Sequence, residues 1–431
     1  MSAQVVAWPA GRRAPAQTPA QTPARARSRP VDVAAFALSV LMLLVYAQPW
    51  AVFLPGAVSD AGSSLARIMF FPMYALGVGL VATRPGAALR GLFGQPFLIV
   101  LLAVTAASIA WSVSPDETPR RVIAIVLTTL CGVALGSRWR WPALAEVLAS
   151  AFAVLSITSL VLGAVVPSIG RMSELFPGAW RGAWIEKNIF GEMMTFGFLI
   201  SAAAGLLNIR RAALWWPFAA LDLALLLAST SKTSLVALLL GMAAMGFVLL
   251  ARRGGAVAVL ACYVAVVGVI GLAAGVILAP DVFFALLGKD ATLTGRTKIW
   301  AAVIRLISQR PWIGYGYQAV WTDTSGWGPL AWIVKDAGFK PEHAHNSWLE
   351  QWLGMGVFGL AAWALYYLTT LFRAIWAVFT SKGALLAFPF LIVFSLMSLT
   401  ESVAVIYNDL RWVIFVALSI RLALPDRNGA H

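Results

Sequence analysis

The 431-residue chain is 60% hydrophobic and only 12% charged, with a mean hydropathy of +0.82. Soluble domains run at about 45–50% apolar and about 25% charged, so this balance excludes a string of soluble domains. The apolar runs do not alternate in polarity, which excludes a membrane barrel. The net charge of +14, from 32 basic and 18 acidic residues, is scattered through short loops rather than gathered on one face, which sets nucleic acid aside as a partner.

The first 30 residues are Pro, Ala, Gln, Thr and Arg, with the near-repeat PAQTPAQTPARARSRP. Such a segment buries no core and is expected to be a disordered cytoplasmic tail. The apolar run that follows is about 20 residues long with no small-residue cleavage site cleanly after it, so it reads as a first membrane helix, not a signal peptide. An all-α, polytopic domain over 31–424 is expected, with twelve spans at 32–50, 66–83, 96–112, 121–137, 142–166, 189–207, 213–229, 233–251, 255–279, 347–372, 384–401 and 405–423. Residues 425–431 form a second cytoplasmic tail. The two cysteines, Cys131 and Cys262, lie in separate apolar runs and read as small core residues.

Basic residues set the orientation. With the N-terminus inside, the inside loops hold Arg84 and Arg90, Arg138 and Arg140, Arg210 and Arg211, Arg252 and Arg253, then Arg373 and Lys382, the positive-inside pattern. The one long connection, 280–346, then lies on the periplasmic side. It contains an amphipathic helix from Arg296 to Ser308, with Ile299, Trp300, Val303 and Ile307 on one face. Trp300, Trp312, Trp321, Trp327 and Trp332 recur through it, which places it on the bilayer surface. A shorter outside segment, 167–188, carries Trp180 and Trp184.

Two groups of residues carry chemistry. His343 and His345 sit in PEHAHNSWLE at the end of the long loop, and imidazole suits proton transfer near neutral pH. Asn346 or Ser347 can cap the next helix, in which Gly356 and Gly359 allow close packing. A metal pair made by His343 and His345 with Glu342 is the competing reading, but a four-ligand site lacks partners. The second group is basic: Arg296, Lys232, Arg181 and Arg121 fall on the outside, where cations are less expected. Guanidinium and ammonium groups bind phosphate oxygens there. Arg120, Lys187 and Lys298 read as interface anchors. Among acids near the spans, Glu350 lies one turn after His345 and is placed to orient it, while Glu192 and Asp222 are expected to pair with bases in the bundle; Glu401 and Asp409 carry no assigned role.

Four segments in order, IAWSVSPDETPRR, RGAWIEKNIFGE, GRTKIWAAVIRLISQRPWIGYGY and HAHNSWLEQWLGMGVFG, resemble the O-antigen ligase and polysaccharide polymerase superfamily. The text around SKTSLVALLLG and RPWIGYG is most similar to ExoQ-type exopolysaccharide production proteins. Many relatives carry Arg where this chain has Lys232. The resemblance implies a GT-C-like membrane fold and an inverting glycosyl transfer, without metal or cofactor, from an undecaprenyl-diphosphate-linked glycan at the periplasmic face of the inner membrane. It implies His345 as base or acceptor-orienting group, and Arg296, supported by Arg181, Lys232 and Arg121, as the diphosphate holder. Glycan donor and acceptor, membrane lipid, and the chain-length and export proteins of a polysaccharide machinery are the implied partners. Polymerase is the leading expectation. A ligase acting on lipid A core, or a lipid-linked oligosaccharide flippase, are the alternatives.

Overall fold

The computed structural model describes residues 30–53, 64–173, 176–278, 296–323 and 325–426. The expected disordered tail, up to residue 29, and the last residues of the C-terminal tail lie outside this set. Among the described residues the regular secondary structure is helical, apart from one isolated antiparallel bridge between Arg171 and Trp180.

The helices in order are α1 (Pro30–Tyr46), α2 (Ser64–Thr83), α3 (Pro85–Phe93), α4 (Pro96–Ala107), α5 (Thr118–Arg138), α6 (Trp141–Val165), the single turn α7 (Pro167–Gly170), α8 (Lys187–Leu207), α9 (Ala212–Ser229), α10 (Lys232–Ala251) and α11 (Gly255–Leu278). The long connection contributes α12 (Arg296–Gln309) and α13 (Pro329–Ala337), and the chain ends with α14 (Ser347–Thr380), α15 (Ala384–Thr400) and α16 (Leu410–Ala423). Proline opens several of them, at positions where its missing N–H costs no helical bond.

A helix stands at each of the twelve expected spans, but lengths do not support twelve full crossings. Among the described residues six helices are long and apolar enough to cross a bilayer, or seven if Ile68–Thr83 and Pro85–Phe93, bent by 98°, act as one. Val31–Tyr46, Pro96–Trp111, Gly255–Gly271 and Ala384–Thr400 are apolar but shorter. The last expected span, 405–423, needs a specific correction. Its helix begins only at Leu410, where the Asp409 carboxylate accepts from the backbone N–H groups of Arg411 (2.7 Å) and Trp412 (3.2 Å). Its 14 residues rise about 21 Å, short of the roughly 30 Å of a hydrocarbon core. Residues 412–421 are all buried by protein, so α16 is the bundle's central post.

Small residues let the neighbours close on that post. Gly132 and Gly136 of α5 lie four apart on one face against α16, and a methyl at Gly136 would fall 2.2 Å from the Ala417 carbonyl oxygen. Rings fill the opposite side: Trp363 lies 5.9 Å from Trp412 and 5.5 Å from Phe415, with Phe394 stacked on Phe415 at 4.7 Å. Gly136→Val should push α5 off α16 and destabilise the protein by about 2–4 kcal/mol. A thermal unfolding midpoint equal to wild type would refute this packing.

α12 matches the amphipathic expectation, burying Ile299, Val303 and Ile307, with Ala302 and Leu306 between them. The tryptophans divide. Trp312, Trp327 and Trp332 are exposed. Trp300 and Trp321 instead donate hydrogen bonds within the fold, to the Ala344 carbonyl (2.9 Å) and the Glu350 carboxylate (2.8 Å). Trp184 is buried and donates to the Ala47 carbonyl, so it is a core residue and not an interface anchor.

Candidate active site at one end of the bundle

The histidine segment is positioned by a broken helix. Gly356, inside α14, has φ +65° and ψ −163°, a conformation no helix contains. The break frees backbone groups on both sides, and the PWIGYG turn takes them. Tyr315 N–H donates to the Leu353 carbonyl (3.0 Å), Gly316 N–H to the Gly354 carbonyl (2.7 Å), and Val357 N–H to the Pro311 carbonyl (2.9 Å). A methyl at Gly356 would fall 2.1 Å from the Trp312 carbonyl oxygen. The glycines therefore serve a helix break, not the helix–helix packing expected of them; Gly359 leaves room for Met355 of its own helix.

At the start of α14, Asn346 caps as expected, its side-chain oxygen accepting from Trp348 N–H (2.9 Å) and Leu349 N–H (3.1 Å). His345 precedes it in the left-handed region, with φ +50°. The Ser347 hydroxyl donates to the Glu401 carbonyl (2.9 Å) and accepts from Val403 N–H (2.9 Å) and Ala404 N–H (3.1 Å), tying the irregular chain after α15 to the start of α14. This tie sets Glu401 against His345: Nδ1 of the imidazole lies 2.8 Å from Oε2 of the carboxylate.

Glu401 also bonds and ion-pairs with Arg296 through its other oxygen. Burial pushes its carboxyl upward, but the His345 hydrogen bond and the Arg296 charge outweigh that and hold it down at about 2. The ionised carboxylate can only accept, so His345 Nδ1 carries the proton and Nε2 is left for chemistry. His343 lies against His345, the rings tilted by 50° with centroids 3.9 Å apart, and accepts from the His345 backbone N–H at its own Nδ1 (3.1 Å). Burial and the neighbouring imidazole push His343 down to about 3, so it stays neutral.

These residues line a cavity of about 780 Å³. Lys187, Lys232, Arg296, Lys340 and Arg411 supply its cations, Glu192 and Glu401 its inner carboxylates. Lys187 and Lys232 open α8 and α10, whose ends meet through a Ser231 hydroxyl donating to the Asn188 side-chain oxygen (3.1 Å). Gly191 permits that approach, since a methyl there would crowd Ser229, Ser231 and Ser234. Two helix N-termini and two ammonium groups thus converge on the cavity wall, a ready-made anion seat.

The remaining predicted residues fall elsewhere. Arg181 does not line the cavity; its guanidinium donates to the carbonyls of Ile169 (2.7 Å) and Ser168 (3.4 Å). Arg121 is buried and donates to the Gln318 carbonyl. Both hold loops. Glu350 does not touch the His345 ring. It accepts from Ala344 N–H (2.6 Å), Trp321 Nε1 (2.8 Å) and the Ser402 hydroxyl (3.1 Å), so it shapes the backbone on both sides of the site. Lys187 lies in the cavity lining, not in the anchoring role expected of it. Glu192 pairs with Arg411 at 3.1 Å, but Asp222 has no base among the described residues and accepts from Ser156 and Ser201 instead.

His343, His345 and Glu401 each bring one ligand atom within 4.8 Å of the others, a geometry a metal ion can use; Glu342 is not among the three. Their donor set argues for other work. His345 Nδ1 and Glu401 already engage each other, His343 Nδ1 accepts a backbone N–H, and Arg296 opposes a dication beside Glu401.

The architecture defines a multi-pass helical membrane protein with an imidazole–carboxylate pair and a cationic cavity at one end. The O-antigen ligase family model matches residues 217–364, a stretch that contains Lys232, Arg296 and His345. The chain is 27% identical over 281 residues to the exopolysaccharide production protein ExoQ of Rhizobium meliloti (strain 1021), covering 62% of each chain. It is 27% identical over 371 residues to the O-antigen ligase of Pseudomonas aeruginosa, covering 82% of this chain and 83% of that protein. The resemblance to the O-antigen ligase and polysaccharide polymerase superfamily, ExoQ-type proteins included, stands on these matches. The alignment with ExoQ takes in less than two thirds of that protein's length.

Proposed function

We propose that the protein polymerises lipid-diphosphate-linked oligosaccharide repeats into exopolysaccharide at the periplasmic face of the inner membrane. The observation that carries this is the His345–Glu401 pair facing the same cavity as Lys187, Lys232 and Arg296. In the reaction, His345 Nε2 removes the proton from an acceptor sugar hydroxyl. The oxygen attacks the anomeric carbon of the donor, and the bond from that carbon to the diphosphate breaks with its electron pair leaving on the diphosphate. Lys187 and Lys232 receive that charge at the two helix ends, and Arg296 adds its remaining N–H groups. Attack opposite the leaving group inverts the anomeric centre. Diphosphate leaves readily, so positioning and charge stabilisation supply most of the rate and no metal is needed.

The match to an O-antigen ligase over 82% of the chain supports a second reading, transfer of a finished glycan to a lipid A core acceptor by the same chemistry. A flippase is disfavoured by the concentration of the paired groups at one end of the bundle, since a carrier needs them reachable from both.

Purified protein given an undecaprenyl-diphosphate oligosaccharide in EDTA should lengthen it, and His345→Ala should lose about 10²–10⁴-fold in rate. Equal extension by both proteins would overturn the assignment of His345. Transfer only when lipid A core is present would replace polymerase with ligase.

A further inference from the structure

A second cavity, of about 690 Å³, opens at the far end of the bundle from His345. It lies between the last turns of α14 and α16, about 40 Å along α14 from the histidine. Its walls carry Arg373 on α14 and Arg421 on α16. In both guanidinium groups a buried nitrogen lacks any hydrogen-bond partner among the described residues: Nη1 of Arg373 and Nε of Arg421. Arg421 is itself only 7% exposed. Its Nη2 pairs with Asp426, and its guanidinium carbon lies 5.7 Å from the Trp141 ring centre. Arg373 has no carboxylate partner among the described residues.

We infer that this cavity seats the phosphodiester head of an anionic phospholipid. Both arginines line the cavity, and guanidinium groups on its wall can donate to a phosphodiester's oxygens. Asp426 neutralises Arg421 but leaves the Arg373 charge uncompensated, so the site prefers an anion. The rim decides between a lipid and a free ion. Phe372 and Trp376, which line the cavity from α14, are 65% and 72% exposed on the bundle's outer surface, where acyl chains run. Thr380, Ser381 and Trp141 also line it, the mixture of hydroxyl and indole groups met at headgroup depth. The surrounding end of the bundle is basic: Arg84 and Arg138 share Asp32, and Arg252 reaches the Val378 carbonyl at 3.5 Å. Basic pockets between helices on that side of a membrane suit anionic headgroups. None of these residues touches the glycan cavity, so the site stands whether or not the proposed polymerase reaction does.

Delipidated protein should be titrated with phosphatidylglycerol and, separately, phosphatidylcholine, with bound lipid counted by native mass spectrometry. Wild type should take up one phosphatidylglycerol about tenfold more tightly than Arg373→Gln, the size expected for losing one charge-assisted contact. Phosphatidylcholine should not separate the two proteins, and millimolar inorganic phosphate should not displace the phosphatidylglycerol. Arg373→Lys, which keeps the charge but not the fork, should lose about threefold and serves in place of the glutamine variant if that fails to elute as a single species. Equal phosphatidylglycerol affinity in wild type and variant would overturn the site. Displacement by inorganic phosphate would overturn its assignment to lipid.

Discussion

Replacing Glu401 with glutamine should lower turnover by about 10²–10⁴-fold while leaving donor affinity nearly unchanged. The carboxylate touches His345 at 2.8 Å and Arg296 through its other oxygen. A glutamine can present its oxygen to only one of these two donors, so its amide N–H₂ must face the other. Either the imidazole loses its acceptor or Arg296 meets a donor. The first outcome disturbs the tautomer that leaves Nε2 free, and both remove the negative charge that would stabilise imidazolium once His345 has taken the acceptor proton. Glu401 contacts no reacting atom in this scheme and acts as a positioning residue, so the loss should fall on kcat and not on KM. The split between kcat and KM separates this role from a purely structural one, and the pH response of stability follows from the same contacts. The Glu401 carboxyl is held at about 2, below the ordinary 4.5, so its ionised form stabilises the fold above about pH 4.5, and that contribution is lost as pH falls toward 2. Wild-type stability should therefore decline in that acid window, and the glutamine variant should show a flatter decline. A variant with normal turnover, or with kcat intact and KM raised, would remove Glu401 from the mechanism.

The sequence exposed the scaffold more fully than the site. Apolar runs of helical length mark a helix at each of the twelve expected positions, because burial in lipid or protein leaves no other way to satisfy the backbone. The amphipathic face of α12 was equally legible, since its 3.6-residue period shows which side is covered. The candidate histidine, His345, stood out for its place before Asn346, whose capping preference is local chemistry. Its carboxylate did not. Glu350 is one turn from His345 in sequence, whereas Glu401 is 56 residues away and arrives only because Ser347 ties the chain after α15 to the start of α14. A local pattern cannot report such a tie. Arginine posed the complementary difficulty. A guanidinium fits a phosphate and a cluster of carbonyls equally well, so Arg121 and Arg181, which brace loops, look the same in sequence as a diphosphate ligand. Lys187 shows the reverse: an interface anchor by position, drawn into the cavity because Gly191 lets the ends of α8 and α10 meet.

Gly356→Ala should cost about 2–4 kcal/mol of stability and, in the molecules that remain folded, most of the activity. Two separate penalties meet at this position. An L-residue at φ +65° and ψ −163° is strained whatever surrounds it, and the new methyl would sit 2.1 Å from the Trp312 carbonyl oxygen, a backbone atom that no rotamer change can move aside. Relief requires either that Gly356 return to helical geometry or that the PWIGYG turn back away. The first course withdraws the Leu353 and Gly354 carbonyls from Tyr315 and Gly316 N–H, and the second withdraws the Pro311 carbonyl from Val357 N–H. Each course re-aims the nine residues of α14 between the break and Asn346, and with them His345. The same turn leads back into α12, where Trp300 donates to the Ala344 carbonyl and Arg296 meets Glu401, so a shift at the break reaches both His345 and Glu401. Gly359→Ala is the control. Its methyl would fall 2.2 Å from Met355 Cβ of its own helix, but it carries no positive φ and meets no backbone of another segment, so it should cost less. Thermal unfolding and glycan extension measured side by side test this ordering. Wild-type stability and rate in Gly356→Ala would show that the helix break does not position the site.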